Sequence, residues 1–193
     1  MLVPEVLARI RDEAPLVELE LHAHRGEAPA HELERGELDV ALGVFLRVAP
    51  GLEHAELFRE SFACIVRKGH PRVGRALTLE RFLELDHVLV SAPDYGPGVV
   101  EFELAKRSLR RRVAVRVPSF LVAPALVART DMICTVPRGI AELAARAHPL
   151  RVVSPPIELP SFAVQMIWRA GAGSDVALRW LRAHLVAAAT RVG

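Results

Sequence analysis

Short apolar runs alternate with stretches of helical spacing almost from one end of this chain to the other, and that alternation constrains its fold most. Val17-Glu18-Leu19-Glu20-Leu21-His22 alternates apolar and polar residues, which predicts a strand with one solvated face. Asp39-Val40-Ala41-Leu42-Gly43-Val44 has no polar face, as in strands buried within a parallel sheet. Further strands are predicted near 53–58, 61–67, 87–91, 112–117, 131–135, 150–153 and 161–169. Helices are expected over 2–13, 30–35, 79–85, 99–109, 120–129 and 137–146. Thr78 is placed to N-cap the third of these. Ser174 is expected to cap a final helix carrying Leu178, Trp180, Leu181, Leu185 and Val186. Such a pattern predicts an α/β architecture with parallel pairing. The strand pair near 53–67 interrupts it, and the alternation restarts at Thr78, which divides the chain into two lobes. Lobe one takes 1–67 and 161–193, and lobe two takes 68–160.

The chain has 193 residues, 51% of them apolar, enough for a real core, and 5% aromatic, so that core is aliphatic. The formal charge of +2 is too small for the whole chain to be a nucleic-acid binder. Residues 1–5 resemble no signal peptide, and the longest apolar stretch, 113–128, is broken by Arg116, Pro118 and Pro124. These features point to a cytoplasmic protein. Cys64 and Cys134 sit inside apolar strands and read as buried, reduced thiols.

Several fragments, in order, carry a family resemblance. They are residues 2–7 followed by Pro15, Gly36-Glu37-Leu38-Asp39-Val40-Ala41-Leu42-Gly43, and Leu57-Phe58-Arg59-Glu60. Val66-Arg67-Lys68-Gly69-His70-Pro71, Thr130-Asp131-Met132-Ile133-Cys134-Thr135-Val136-Pro137, Trp168 and residues 175–182 follow. The chain resembles the effector-binding domain of LysR-type transcriptional regulators. The resemblance implies two Rossmann-like lobes joined by two crossover strands, a type 2 periplasmic-binding-protein-like fold. It implies a small effector bound between the lobes, no cofactor, and a homodimer that is part of a tetramer in an intact regulator. Set against the family, the first strand of lobe one and the DNA-binding domain are missing from this stretch. This chain alone is therefore expected to bind neither operator DNA nor membrane.

The effector-site candidates are residues in loops at strand carboxyl ends, where open α/β sheets bind ligands. They are Val44, Phe45, Ser91, Tyr95, Ser119, Phe120 and Thr135. Hydroxyls and exposed helix N–H groups suit an anion, and the aromatic rings can cover an apolar or aromatic effector. Ser119 reads equally as a helix cap and Thr135 as a plain strand residue. His22, His24 and His31 could form a metal site, but a solvated edge fits better because no ligand stands at a reinforcing spacing. The cation run Lys106-Arg107-Ser108-Leu109-Arg110-Arg111-Arg112 fits a solvated helix end better than a phosphate site. Two rivals remain. A transporter's solute-binding protein has the same fold but needs export. A small α/β enzyme needs a nucleophile elbow, a metal motif or a phosphate loop, none of which occurs here.

Overall fold

The structure is a computed structural model that describes residues 2–24, 28–91, 98–172 and 175–191. It divides into two units, residues 1–60 with 162–193 and residues 61–161. The chain therefore passes into the second unit at Ser61, ahead of the strand that closes with Arg67.

The first unit contains α1 (Leu2–Glu13), α2 (Ala28–Arg35), β1 (Ala41–Gly43) and β2 (Leu52–Glu60). The second contains β3 (Phe62–Arg67), α3 (Leu79–Glu84), β4 (Asp86–Val90), α4 (Val99–Ala105), β5 (Arg112–Val117), α5 (Ala123–Val127), β6 (Ile133–Pro137), α6 (Arg138–Ala147) and β7 (Leu150–Val153). β8 (Phe162–Arg169) and α7 (Val176–Ala189) complete the first unit.

The second unit is a five-stranded sheet in the order β5-β4-β6-β3-β7. β4 pairs in parallel with both β5 and β6, whereas β3 runs antiparallel to β6 and β7. Helices cover both faces. Ala63 and Ile65 of β3 point into one core with Val127 and Ala141 of α5 and α6. Cys64 and Val66 point into the other, with Phe82, Val100 and Leu104 of α3 and α4. A strand buried on both faces must be apolar, which is why β3 carries no polar stripe, whereas the edge strand β5 alternates, with Arg112, Ala114 and Arg116 exposed. Each fully buried Phe82, Ile65 or Leu104 contributes about 1.5–3 kcal/mol by leaving water. Thr78 caps α3 as expected, its hydroxyl accepting from the Arg81 N–H at 3.3 Å.

The first unit is a three-stranded sheet, β1-β8-β2, with β8 antiparallel to both neighbours. Two expectations need correction. Residues 17–22 form no strand and join no sheet, and no described strand lies beside them to complete a ladder. Among the described residues β1 is a short edge strand that pairs only with antiparallel β8, and its Leu42 is 38% exposed, so it is not a strand buried in a parallel sheet.

α1 buries Leu2, Val6 and Ile10 in a cluster with Leu185, Ala188 and Ala189 of α7. Its apolar stripe is therefore hidden inside its own unit. α4 ends earlier than the sequence predicts. Ser108 takes a left-handed conformation (φ 56°), and the Leu109 N–H turns back to the Leu104 carbonyl at 2.9 Å. α5 is also shorter than expected and begins four residues after Ser119. The N-cap of α7 is Asp175, whose carboxylate accepts from the Ala177 and Leu178 N–H groups at 2.9 and 3.1 Å. Ser174 lies outside the described residues.

Candidate effector site

Three parallel strands of the second unit end at one edge, at Val90, Val117 and Pro137. The Ser91 N–H donates to the Val117 carbonyl at 3.0 Å, which fixes Ser91 beside the end of β5. Continuing the β4–β6 register places Ser91 level with Pro137 and Leu89 level with Thr135. Ser119 follows β5 by two residues. Its hydroxyl accepts the Leu121 N–H at 3.2 Å and its carbonyl accepts the Val122 N–H at 3.3 Å. Ser119 therefore closes a local turn, and Val122 holds the N-cap position of α5. The hydroxyl proton of Ser119 remains available to donate. Phe120, Leu121 and Val122 are 40%, 87% and 45% exposed, an apolar run at this same edge. Thr135 sits inside β6, level with Cys64, with its hydroxyl 3.3 Å from the Cys64 sulfur.

The structure thus gathers Ser91, Ser119 and Phe120 at one edge, with Thr135 two residues inside it. Val44 and Phe45 belong to the first unit. Val44 is 54% exposed after β1, while Phe45 folds back over Gly43, where an added Cβ would lie 3.2 Å from the ring. Tyr95 lies outside the described residues.

Two side chains at these edges were not predicted from sequence. Arg138 is the first residue of α6. Its N–H donates to the Ser61 carbonyl at 2.8 Å and its Nε lies 3.3 Å from the Ser61 hydroxyl. The first turn of α6 has no acidic residue, and Pro137 supplies no side-chain cap. A cation at the positive end of a helix is unfavourable by a few tenths to about 1 kcal/mol. Arg138 has no carboxylate within ion-pair distance among the described residues. An arginine directly after the helix-opening proline was the readable signal. In the first unit, Gln165 lies level with Gly43 in the register and its buried Oε1 has no hydrogen-bond partner.

The other sequence candidates resolve into local pairs. His22 and His24 stack 5.7 Å apart, His22 lies 2.9 Å from Glu20, and His24 lies 3.1 Å from Glu32 without hydrogen-bond alignment. No group of three metal-ligating side chains occurs among the described residues. In the cation run, Lys106 pairs with Glu103 at 2.9 Å, Arg111 with Glu101 at 2.7 Å and Arg112 with Asp86 at 2.6 Å. Most of that charge is already compensated within the second unit.

The carboxyl edge of parallel strands is where open α/β sheets bind small ligands. Residues 1–190 match the family described as the LysR substrate binding domain, and the chain belongs to that family, the ligand-sensing regulatory domains of transcriptional regulators rather than enzymes. It is 34% identical over 194 residues to the HTH-type transcriptional regulator SyrM of Rhizobium meliloti (strain 1021), covering 100% of this chain and 59% of that protein. The chain thus spans about three-fifths of that relative. Among solved structures it is similar to the regulatory domain of MexT, a transcriptional activator in Pseudomonas aeruginosa. The TM-score is 0.83 at 30% identity, covering 97% of this chain and 90% of that one. A putative transcriptional regulator from Vibrio parahaemolyticus superposes with a TM-score of 0.88 at 26% identity, covering 99% of this chain and 88% of that one. These neighbours share the type 2 periplasmic-binding-protein-like fold.

Proposed function

We propose that the effector is a small organic anion, and that the second unit holds it at the carboxyl edge of β4, β5 and β6. The observation that carries this reading is Arg138, a cation placed at an uncapped helix start without an acidic partner among the described residues. An oxyanion there would pair with the guanidinium at the positive end of α6. The Ser119 hydroxyl supports the same chemistry, and exposed Phe120 and Leu121 suit an apolar or aromatic ring. Binding shifts the population of the domain's conformers by its differential affinity for them.

The domain acts in the cytoplasm as a homodimer, in a tetramer when part of an intact regulator, and does not bind operator DNA by itself. Leu7 of α1 and Phe102 of α4, 37% and 58% exposed, support an apolar contact between copies. No described helix is long and apolar enough to cross a membrane.

Native mass spectrometry against a panel of small carboxylates selects the effector and reports the oligomeric state. Calorimetry with the selected acid then compares the parent with Arg138→Gln. Losing a charged hydrogen-bond donor should cost about 1.5–3 kcal/mol of binding, roughly a 10- to 150-fold weaker Kd. Arg107→Gln, two residues past the end of α4, should leave the Kd unchanged. Equal affinities for the Arg138 variant and the parent would remove the anion from this edge.

A further inference from the structure

The anion reading puts the effector's charge against one cationic side chain, Arg138, and the sheet beside it fixes how that side chain is presented. β3 and β6 pair antiparallel, with Ala63 level with Val136 and Phe62 level with Pro137. One step further in the same register, Ser61 stands level with Arg138. The Arg138 N–H donates to the Ser61 carbonyl at 2.8 Å, so the ladder runs one pair beyond β6 into the first residue of α6. That bond occupies the N–H with which the helix opens. An anion at this helix start therefore meets the Arg138 guanidinium, and the direction of the guanidinium decides what it can hold.

A long arginine side chain has many rotamers, and holding it in one costs entropy. Arg138 is half-buried and has no carboxylate within ion-pair distance among the described residues to hold it. Its Nε donates instead to the Ser61 hydroxyl at 3.3 Å. Residues level with each other on antiparallel strands have Cβ atoms about 4.5–5.5 Å apart, so this contact is a short cross-strand one. A guanidinium carries five N–H groups in a fixed planar fork. With Nε turned to Ser61, the four N–H groups on Nη1 and Nη2 make up the opposite end of that fork. By the alternation along β3, Ser61 lies on the side of Ala63 and Ile65, the side that α5 and α6 cover. Ser119 and Phe120 approach that same side just ahead of α5.

We propose, resting on the anion reading of Arg138, that Ser61 is the positioning residue of this site. Its hydroxyl holds the Arg138 Nε, so that the Nη1 and Nη2 end of the guanidinium is presented to a carboxylate of the effector, which it takes end-on through two parallel N–H···O bonds. Ser61 acts through Arg138 and needs no contact of its own with the ligand. The gain is preorganisation: the entropy of fixing the guanidinium is spent before the anion arrives, and the anion binds more tightly for it. The two bonds between Ser61 and Arg138 separate this role from a merely structural one. The carbonyl bond at 2.8 Å holds the start of α6 whatever the side chain at 61, whereas the hydroxyl contact at 3.3 Å acts on the guanidinium alone. Ser61→Ala therefore removes the second and leaves the first.

The test titrates benzoate, an aromatic carboxylate, into the 193-residue chain carrying isotopically labelled arginine, and follows the arginine side chains by nuclear magnetic resonance. The Arg138 Nε–H signal is identified by its loss in Arg138→Gln, and that of exposed Arg107 by its loss in Arg107→Gln. Before benzoate is added, the Arg138 Nε–H should exchange with water several-fold more slowly than the Arg107 Nε–H. Ser61→Ala should abolish that difference, and Ser61→Thr, which keeps the hydroxyl, should retain it. Ser61→Ala should weaken benzoate binding by about three- to tenfold, the worth of one hydrogen bond, and Ser61→Thr should restore it. In the Arg138→Gln background Ser61→Ala should weaken binding no further, because the pair acts as one unit. Unslowed exchange at the Arg138 Nε–H overturns the proposal, as does an equal loss of affinity in Ser61→Thr and Ser61→Ala. A loss from Ser61→Ala that is as large without Arg138 as with it makes Ser61 act elsewhere, with the same consequence. Unchanged affinity in Ser61→Ala beside a loss in Arg138→Gln overturns the positioning role and leaves the anion reading standing. Unchanged affinity in Arg138→Gln overturns the anion reading, and the positioning role with it.

Discussion

Acid should destabilise the second unit through one buried side chain, His87. Its ring is fully buried, with Nε2 2.7 Å from the Phe82 carbonyl and Nδ1 3.1 Å from the Arg111 guanidinium. A carbonyl only accepts and a guanidinium only donates, so the ring is neutral with its proton on Nε2. Burial, and secondly the Arg111 charge, push its pKa down from 6.5 to about 4. The unfolded chain therefore takes up the proton first as pH falls. Stability from this group is complete above about pH 6.5 and is lost progressively toward pH 4. At about 1.4 kcal/mol per pKa unit, the loss approaches roughly 3 kcal/mol at pH 4, a large share of the roughly 5–15 kcal/mol that holds a domain folded. His87→Gln keeps a donor and an acceptor but cannot titrate, so its stability should fall less between pH 7.5 and 4.5, by about 2–3 kcal/mol. Both tryptophans, Trp168 and Trp180, lie in the first unit, so fluorescence would report the wrong half. Hydrogen exchange of β4 and β6 amides in graded urea isolates the second unit. Equal losses of stability in parent and variant would refute the assignment.

Arg111→Met should destabilise the second unit strongly, because it strands the Glu101 carboxylate and the His87 Nδ1. Breaking a buried pair costs about 3–5 kcal/mol, and Glu101 at 23% exposure favours the lower end, measurable by the same exchange experiment. Asp175→Ala removes both acceptor contacts at the start of α7 and should cost the first unit about 1 kcal/mol, read by urea titration of tryptophan fluorescence. Cys64 and Cys134 lie in opposite cores, on the two faces of the second unit's sheet, with burial pushing their pKa values up to about 11 and about 12. Neither should react with a thiol reagent until the chain is denatured, and no disulfide should form between them; rapid labelling of the native chain would contradict this.

Local chemistry made much of this fold readable from sequence. The apolar spacing of residues 2–10 marked α1, Thr78 marked the start of α3, and the apolar runs around Cys64 and Cys134 marked the strands β3 and β6. The order of family fragments pointed to the regulatory domain. Readings that depended on a partner distant in sequence went differently. Residues 17–22 have the alternation of a strand, but a ladder needs a second backbone alongside, and alternation alone does not supply one. The serine before Asp175 suits a cap as well as Asp175 does from sequence alone, and it is Asp175 whose carboxylate accepts the Ala177 N–H. Ser91 and Ser119 meet at one edge because three strands run parallel, and no sequence spacing encodes that direction. Arg138 shows the division most clearly. The sequence places a cation after Pro137, and only the fold brings Ser61 against it, 77 residues away along the chain, at a helix end whose dipole calls for an anion.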